Sequence, residues 1–275
     1  MNTGEPDESV LRFEDVTVTF DGVPALVGVS FEARAGQSHV IMGAAGSGKT
    51  VLLKAALGLV KPEGGKVYVF GEDITTRREQ DLFPIRGKIG MLFQESALFD
   101  SMTIEENVAY PLINQPTIKV PPDEVEHRVK EALEFVELSG TLDKFPNELS
   151  GGMRRRAAIA RAVVTEPPLQ MYDSPTAGLD PITAHTIMAL LIKERDVTNA
   201  TTLMVTHRYQ DGNLMANFRY NSEQGALVPA RNGQRKTAQT MFMVMKEGRL
   251  IFEGDQDELE GSKDSYISKF YKHRN

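Results

Sequence analysis

The chain predicts an α/β fold: a core of alternating strands and helices, an antiparallel β piece near the N-terminus and an inserted α-helical subdomain. Three observations predict it. Short apolar runs suited to buried strands recur along the chain and later alternate with helical patterns. One run, residues 39–42, enters the glycine-rich stretch GAAGSGKT (43–50) and leaves it into a helical pattern over 51–57. Between Gln94 and Ser150 no good strand occurs; TIEENVAYPLI and DEVEHRVKEALEFVEL read as helices joined by the Pro-rich NQPTIKVPP (114–122).

Taken in order, strand signals cover residues 11–20, 27–32, 39–42, 66–70, 89–93, 169–172 and 201–206. The signals near the N-terminus supply the antiparallel piece. A last pair, in MFMVMKEGRLIFEGD (241–255), reads as a hairpin turning at Glu247-Gly248.

Composition narrows the function. With 275 residues, 41% of them hydrophobic, the chain can bury a substantial core. The absence of cysteine excludes disulfides and thiolate metal sites. A net charge of −7 argues against a broad nucleic-acid footprint. MNTGEPDES has neither the basic nor the apolar region of an export signal. The most apolar stretch, VLLKAALGLV (51–60), is interrupted by Lys54 and falls short of the ~20 residues a membrane span needs.

GAAGSGKT has the form G-x-x-x-x-G-K-T, a phosphate-binding P-loop. Gly43, Gly46 and Gly48 let the backbone curl so that successive N–H groups point at phosphate oxygens, and the following helix aims its positive end at them. Lys49 supplies a charge to the β- and γ-phosphates, and the Thr50 hydroxyl can ligate magnesium. LQMYDSPTAGLDP (169–181) resembles the acid-bearing strand of a nucleotide hydrolase: an apolar run climbs to Asp173, where a magnesium-organising carboxylate would be expected. A second carboxylate, the base that activates water, is expected next. Ser174 stands there instead.

NELSGGMRRRAAIARAVV (147–164) resembles the signature of the ATP-binding-cassette (ABC) ATPases, usually LSGGQ, with Met153 in the last place. The resemblance covers about residues 10–256 and implies a P-loop NTPase core. It implies ATP held by the loop from Gly43 through Ala44, Ala45, Gly46, Ser47, Gly48, Lys49 and Thr50 to Val51, with Phe20 stacked on adenine. Ser150, Gly151 and Gly152 would complete the ATP site of the opposite subunit in a head-to-tail dimer. Mg²⁺ would be held by Thr50, Gln94 and Asp173. Gln94 would also sense the membrane subunit, and Asp180 and His207 would position the attack beside Ser174.

The same resemblance orders the chain as one ABC ATPase domain over 1–275. Its core spans 10–93 and 165–256, its helical and signature subdomain 94–164, and a short C-terminal helix lies in 257–275. Within 209–240 the family pattern is interrupted by a segment, roughly 213–239, rich in Asn, Gly, Gln, Arg and Lys. It reads as a flexible surface loop, with a partner-binding or regulatory flap as the alternative. ESALFDSMTIEENVAYPL (95–112) resembles the ATPases of MCE-type phospholipid-trafficking (Mla/Mkl) systems, although little room remains after SYISKFYKHRN for the long swapped tail of some such relatives.

The resemblance therefore implies a cytosolic ATPase subunit on the inner face of the cell membrane, dimeric, more readily a homodimer than a heterodimer. Its partners would be membrane permease subunits and an MCE lipid-binding protein, without nucleic acid. Ser174 implies slow hydrolysis. The alternatives are an ATP-binding scaffold, a heterodimer whose partner supplies a glutamate, and a soluble ABC ATPase. The single motif set and lack of heptads disfavour the last.

Overall fold

The computed structural model describes residues 8–230 and 240–272. β1 (Ser9–Phe20) and β2 (Val23–Arg34) form an antiparallel hairpin. Asp21 and Gly22 turn it with φ of 50° and 79°, the backbone shape that matches strand twist. β3 (Ser38–Gly43) runs through the glycine loop into α1 (Lys49–Ala56). β4 (Gly64–Val69) and β5 (Glu72–Asp73) complete an antiparallel sheet of order β2-β1-β4-β5.

Next come α2 (Glu79–Arg86), β6 (Ile89–Leu92), α3 (Ile104–Asn114), α4 (Pro122–Phe135) and α5 (Gly151–Val163). Thr103 and Glu106 close a capping box at the start of α3, which fixes where the helical insertion begins. β7 (Leu169–Asp173), α6 (Pro181–Thr198) and β8 (Thr201–Thr206) return to the core. The chain continues as α7 (Tyr209–Asn217), β9 (Phe218–Asn221), β10 (Ala226–Pro229), β11 (Thr240–Lys246), β12 (Arg249–Gly254), α8 (Gln256–Gly261) and α9 (Ser265–Lys272).

The main sheet has the order β12-β11-β3-β8-β7-β6, parallel except for the edge strand β12. Its central strands are buried on both faces, as parallel strands between two layers are. Side-chain alternation divides them between two cores. Val40, Met42, Tyr172, Met204, Phe242 and Val244 face the helical layer. Ile41, Met171, Leu203, Val205, Met243 and Met245 face the layer of α1 and the antiparallel sheet. Because the parallel strands share one direction, β3, β7 and β8 deliver the glycine loop, Asp173 and His207 to the same sheet edge.

Two expectations are corrected. The segment around 213–239 is not a loop where it is described: it is the end of α7 and the β9–β10 hairpin. Phe218 and Leu227 pack against the helical-side core. Buried Arg195 donates to the carbonyls of Met215 (2.5 Å) and Phe218 (3.0 Å), and Asp196 accepts from the Tyr220 N–H at 2.7 Å. These bonds give a polar segment a fixed seat; residues 231–239 lie outside the described residues. The C-terminal part holds two helices rather than one, because Asp255 and Asp264 each accept backbone N–H groups and start separate turns. α2, which carries Pro84 inside it, had not been singled out.

Candidate nucleotide-binding site

The glycine loop is pinned to its surroundings mostly by backbone. The Gly248 N–H donates to the Ser47 carbonyl (3.2 Å) and the Val27 N–H to the Gly248 carbonyl (2.9 Å). Gly48 sits at φ 102°, and a Cβ there would lie 2.4 Å from the Ala25 carbonyl oxygen, so only glycine fits. It precedes α1, whose first turn carries no acid and leaves its N–H groups free for an anion.

The Lys49 ammonium folds over the loop. It donates to the carbonyls of Gly43 (2.7 Å) and Ala44 (2.8 Å) and lies 3.3 Å from Ser47 Oγ. Burial pushes its pKa down and the Asp173 carboxylate opposes the shift. The Thr50 hydroxyl donates to Asp173 Oδ2 at 2.9 Å, joining the loop to the end of β7.

Ser174 has φ 49°, a left-handed conformation uncommon for a residue with a side chain. Its N–H still donates to the Val205 carbonyl (2.8 Å), extending the sheet, and its hydroxyl donates to Asp173 Oδ1 at 3.1 Å. A cavity of about 540 Å³ lies over this edge. Ala45, Gly46, Ser47, Gly48, Lys49, Thr50 and Val51 line one side, and Gln94, Ser174 and His207 line the other. Among the described residues no Asp or Glu lines it. Asp173 lies behind, engaged by Thr50 and Ser174.

Two arginines of α5, Arg155 and Arg161, act as struts. Arg155, buried, donates to the Phe93 carbonyl (3.3 Å) immediately before Gln94. Arg161 donates to the carbonyls of Ser96 (3.0 Å) and Ala97 (2.8 Å), two residues with left-handed φ. α5 therefore fixes the loop that presents Gln94.

Other expected residues lie elsewhere. Phe20, 48% exposed at the end of β1, does not line the cavity. Asp180 caps α6, accepting from the N–H groups of Ile182 and Thr183, both at 3.0 Å. Ser150 caps α5 through the Met153 N–H (3.3 Å), and Ser150 and Gly151 are exposed. Gly152 is packed so closely on α6 that a Cβ would lie 2.8 Å from Thr183 Cγ2. None of these four lines the cavity.

Three contributors had not been singled out. Ala25 and Ala177 line the cavity, brought there by tertiary packing alone. Buried Asp211 accepts from the hydroxyls of Thr176 (2.7 Å) and Thr206 (2.8 Å), tying the turn after Ser174 to the loop of His207. Burial pushes its carboxyl pKa up, opposed by those hydrogen bonds.

Residues 26–177, more than half of the chain, match the model of the family described as ABC transporter. The chain belongs to the ABC transporter family. This ABC cassette is 40% identical over 195 residues to the probable ribonucleotide transport ATP-binding protein mkl of Mycobacterium tuberculosis, covering 71% of this chain and 50% of that one. It is 38% identical over 206 residues to the methionine import ATP-binding protein MetN of Rhizobium etli (74% and 55%). It is 32% identical over 244 residues to the intermembrane phospholipid transport system ATP-binding protein MlaF of Haemophilus influenzae (89% and 83%). The chain thus spans about half the length of the first two.

Among solved structures, the cassette resembles the ATP-binding cassette MJ0796, a dimer in a post-hydrolysis state bound to ADP and Pi. The TM-score is 0.75 at 30% identity, over 90% of this chain and 98% of that one.

Proposed function

We propose that this ABC cassette binds ATP and hydrolyses it slowly, as one half of a dimer that drives a membrane transporter. The carrying observation is the convergence of residues 45–51, Gln94, Ser174 and His207 on one cavity, with Lys49 folded over the loop and the first turn of α1 uncapped by any side chain. The loop amides and Lys49 hold the phosphates. Thr50, Asp173 and Gln94 offer hydroxyl, carboxylate and amide oxygens, a donor set that suits Mg²⁺. Magnesium, when bound, draws charge from the phosphate oxygens.

Ser174 is too weak a base to take a proton from water. It can hydrogen-bond the water and hold it in line, as uncharged side chains do in other phosphoryl-transfer sites. Losing a positioned general base costs ~10²–10⁴ in rate. The phosphate-holding groups retain the electrostatic share of catalysis. His207 orients the water from across the cavity. Ser150 and Gly151, exposed and away from it, are available to the site of a second copy, with Asp180 at that junction. A scaffold that binds ATP with little turnover is the second reading, favoured by the lack of a lining carboxylate among the described residues.

Phospholipid transport of the MCE type is supported by the resemblance in residues 95–112 and by the similarity to MlaF. The permease would dock over the groove of about 410 Å³ lined by Phe99, Tyr110, Pro111 and Arg161. Among the described residues no helix is long and apolar enough to cross a membrane, so attachment to the inner face would run through those partners. Purification of the native complex from membranes tests this reading: permease subunits, an MCE protein and bound phospholipid are expected. Charge reversals on the exposed face of 95–112 should release the permease without loss of ATP binding. Recovery with a soluble amino-acid or nucleotide carrier instead would overturn the lipid assignment.

A further inference from the structure

We propose that Tyr266, on α9, is a positioning residue for the phosphate-binding loop, so that the α8–α9 pair ties nucleotide capture to the helix that follows His207. This rests on the reading of residues 43–50 as the ATP site and goes beyond it. β3 and β11 pair in parallel register up to Gly43 opposite Met245. Beyond that rung the chains part, one into the glycine loop and the other into the Glu247-Gly248 turn.

The Tyr266 hydroxyl bridges the gap. It accepts from the Ala44 N–H at 3.1 Å and donates to the Met245 carbonyl at 3.2 Å. A phenol can do both at once, so one side chain supplies the next rung between the two strands. The Ala44 carbonyl accepts from Lys49 Nζ (2.8 Å) and from the Ser47 N–H (3.2 Å). Tyr266 therefore holds the residue that holds the lysine.

Tyr266 is itself fixed. Its ring meets Phe270 edge-on with centroids 5.3 Å apart, and Lys246 Nζ lies 5.3 Å from its centroid. Its N–H donates to Asp264 Oδ1 at 2.7 Å, and the next residue, Ile267, is buried. On α8, Gln256 Nε2 donates to the Tyr209 hydroxyl (2.6 Å) and to Asn213 Oδ1 (3.0 Å), and Tyr209 bonds Glu260. Tyr209 is buried and opens α7, two residues after His207. The helix pair thus grips the cavity at two points, the start of the loop and the root of the His207 arm. Displacing the pair would loosen both.

The test is Tyr266→Phe in the full-length chain, which keeps the ring and removes both hydrogen bonds. Binding of Mg·ATP is measured well below the unfolding temperature of either protein. A dissociation constant raised about fivefold is expected, the equivalent of one net hydrogen bond. Amide exchange at Ala44 should accelerate, and the loss in steady state should fall on KM rather than kcat, a pattern that mere loss of packing would not produce. Unchanged affinity and Ala44 exchange in Tyr266→Phe, while Lys49→Ala abolishes binding, would overturn the inference and leave the ATP site standing. Unchanged affinity in Lys49→Ala would overturn the ATP-site reading and this inference with it.

Discussion

The two walls of the cavity are built on different terms. The loop wall is made of backbone: curled N–H groups, a helix start, and Lys49 held by two carbonyls. The opposite wall depends on individual side chains at strand ends, namely Ser174, His207 and Gln94. A wall made of main chain keeps its chemistry under most substitutions, whereas a wall of single side chains can lose one function and keep its shape. Ser174 belongs to the second kind: its N–H continues the sheet to Val205 and its side chain lines the cavity, where among the described residues there is no carboxylate.

The comparison breaks most easily at the loop. Lys49→Ala should weaken ATP binding by about 100-fold or more, the scale of a lost charge-assisted contact in a partly desolvated site, with the circular dichroism unchanged. If the walls are separable, His207→Ala should lower any residual ATP turnover at least about tenfold while ATP affinity stays within a few-fold. Equal losses of binding and turnover in His207→Ala would show that the walls act as one.

A smaller effect sharpens the contrast from beneath β7. Glu194 is buried against Gln170, whose Nε2 donates to it at 3.0 Å, and burial raises its pKa from an ordinary 4.5 to about 7. A carboxyl poised near neutrality has the profile of a catalytic base, but Glu194 does not line the cavity. Glu194→Gln should therefore leave turnover within about twofold. Its effect belongs to stability. Because the native state holds this proton more tightly than the unfolded chain, the carboxyl's contribution is complete below about 4.5 and is lost as pH rises through about 7. Melting curves should show Glu194→Gln more stable than wild type at pH 8, with the gap closing by pH 4.

Much of this was legible from residue order alone. The strands at 39–42, 169–172 and 201–206 could be read because each is a short, apolar-rich run leading to a marked residue, Gly43, Asp173 or His207. The glycine loop between a strand and a helix was legible because its pattern is local. The β9–β10 hairpin was hidden by polar composition. Its signal was present nonetheless: two short strands joined by Ser222–Gly225, with Gly225 at φ 62°. Ala25, Ala177, Asp211 and Tyr266 could not be read, because nothing near them in the chain marks what tertiary packing brings them against. The roles of Arg154, Arg155 and Arg156 were equally hidden, since only the folded chain shows them bonding the carbonyls of Leu149, Phe93 and Val136.

The central claim is that this cassette keeps a complete phosphate wall beside a water-activating wall that lacks only its acid. Ser174→Glu tests it most directly, since the left-handed backbone at this position already presents its side chain to the cavity. ATP turnover of the protein assembled with the proposed membrane partners, measured alongside ATP affinity, is the decisive measurement. The account predicts turnover raised at least about tenfold, with affinity within about twofold of wild type. Turnover that stays at the wild-type level with ATP still bound would contradict it, and would mean that the second wall is not a catalytic surface awaiting one carboxylate.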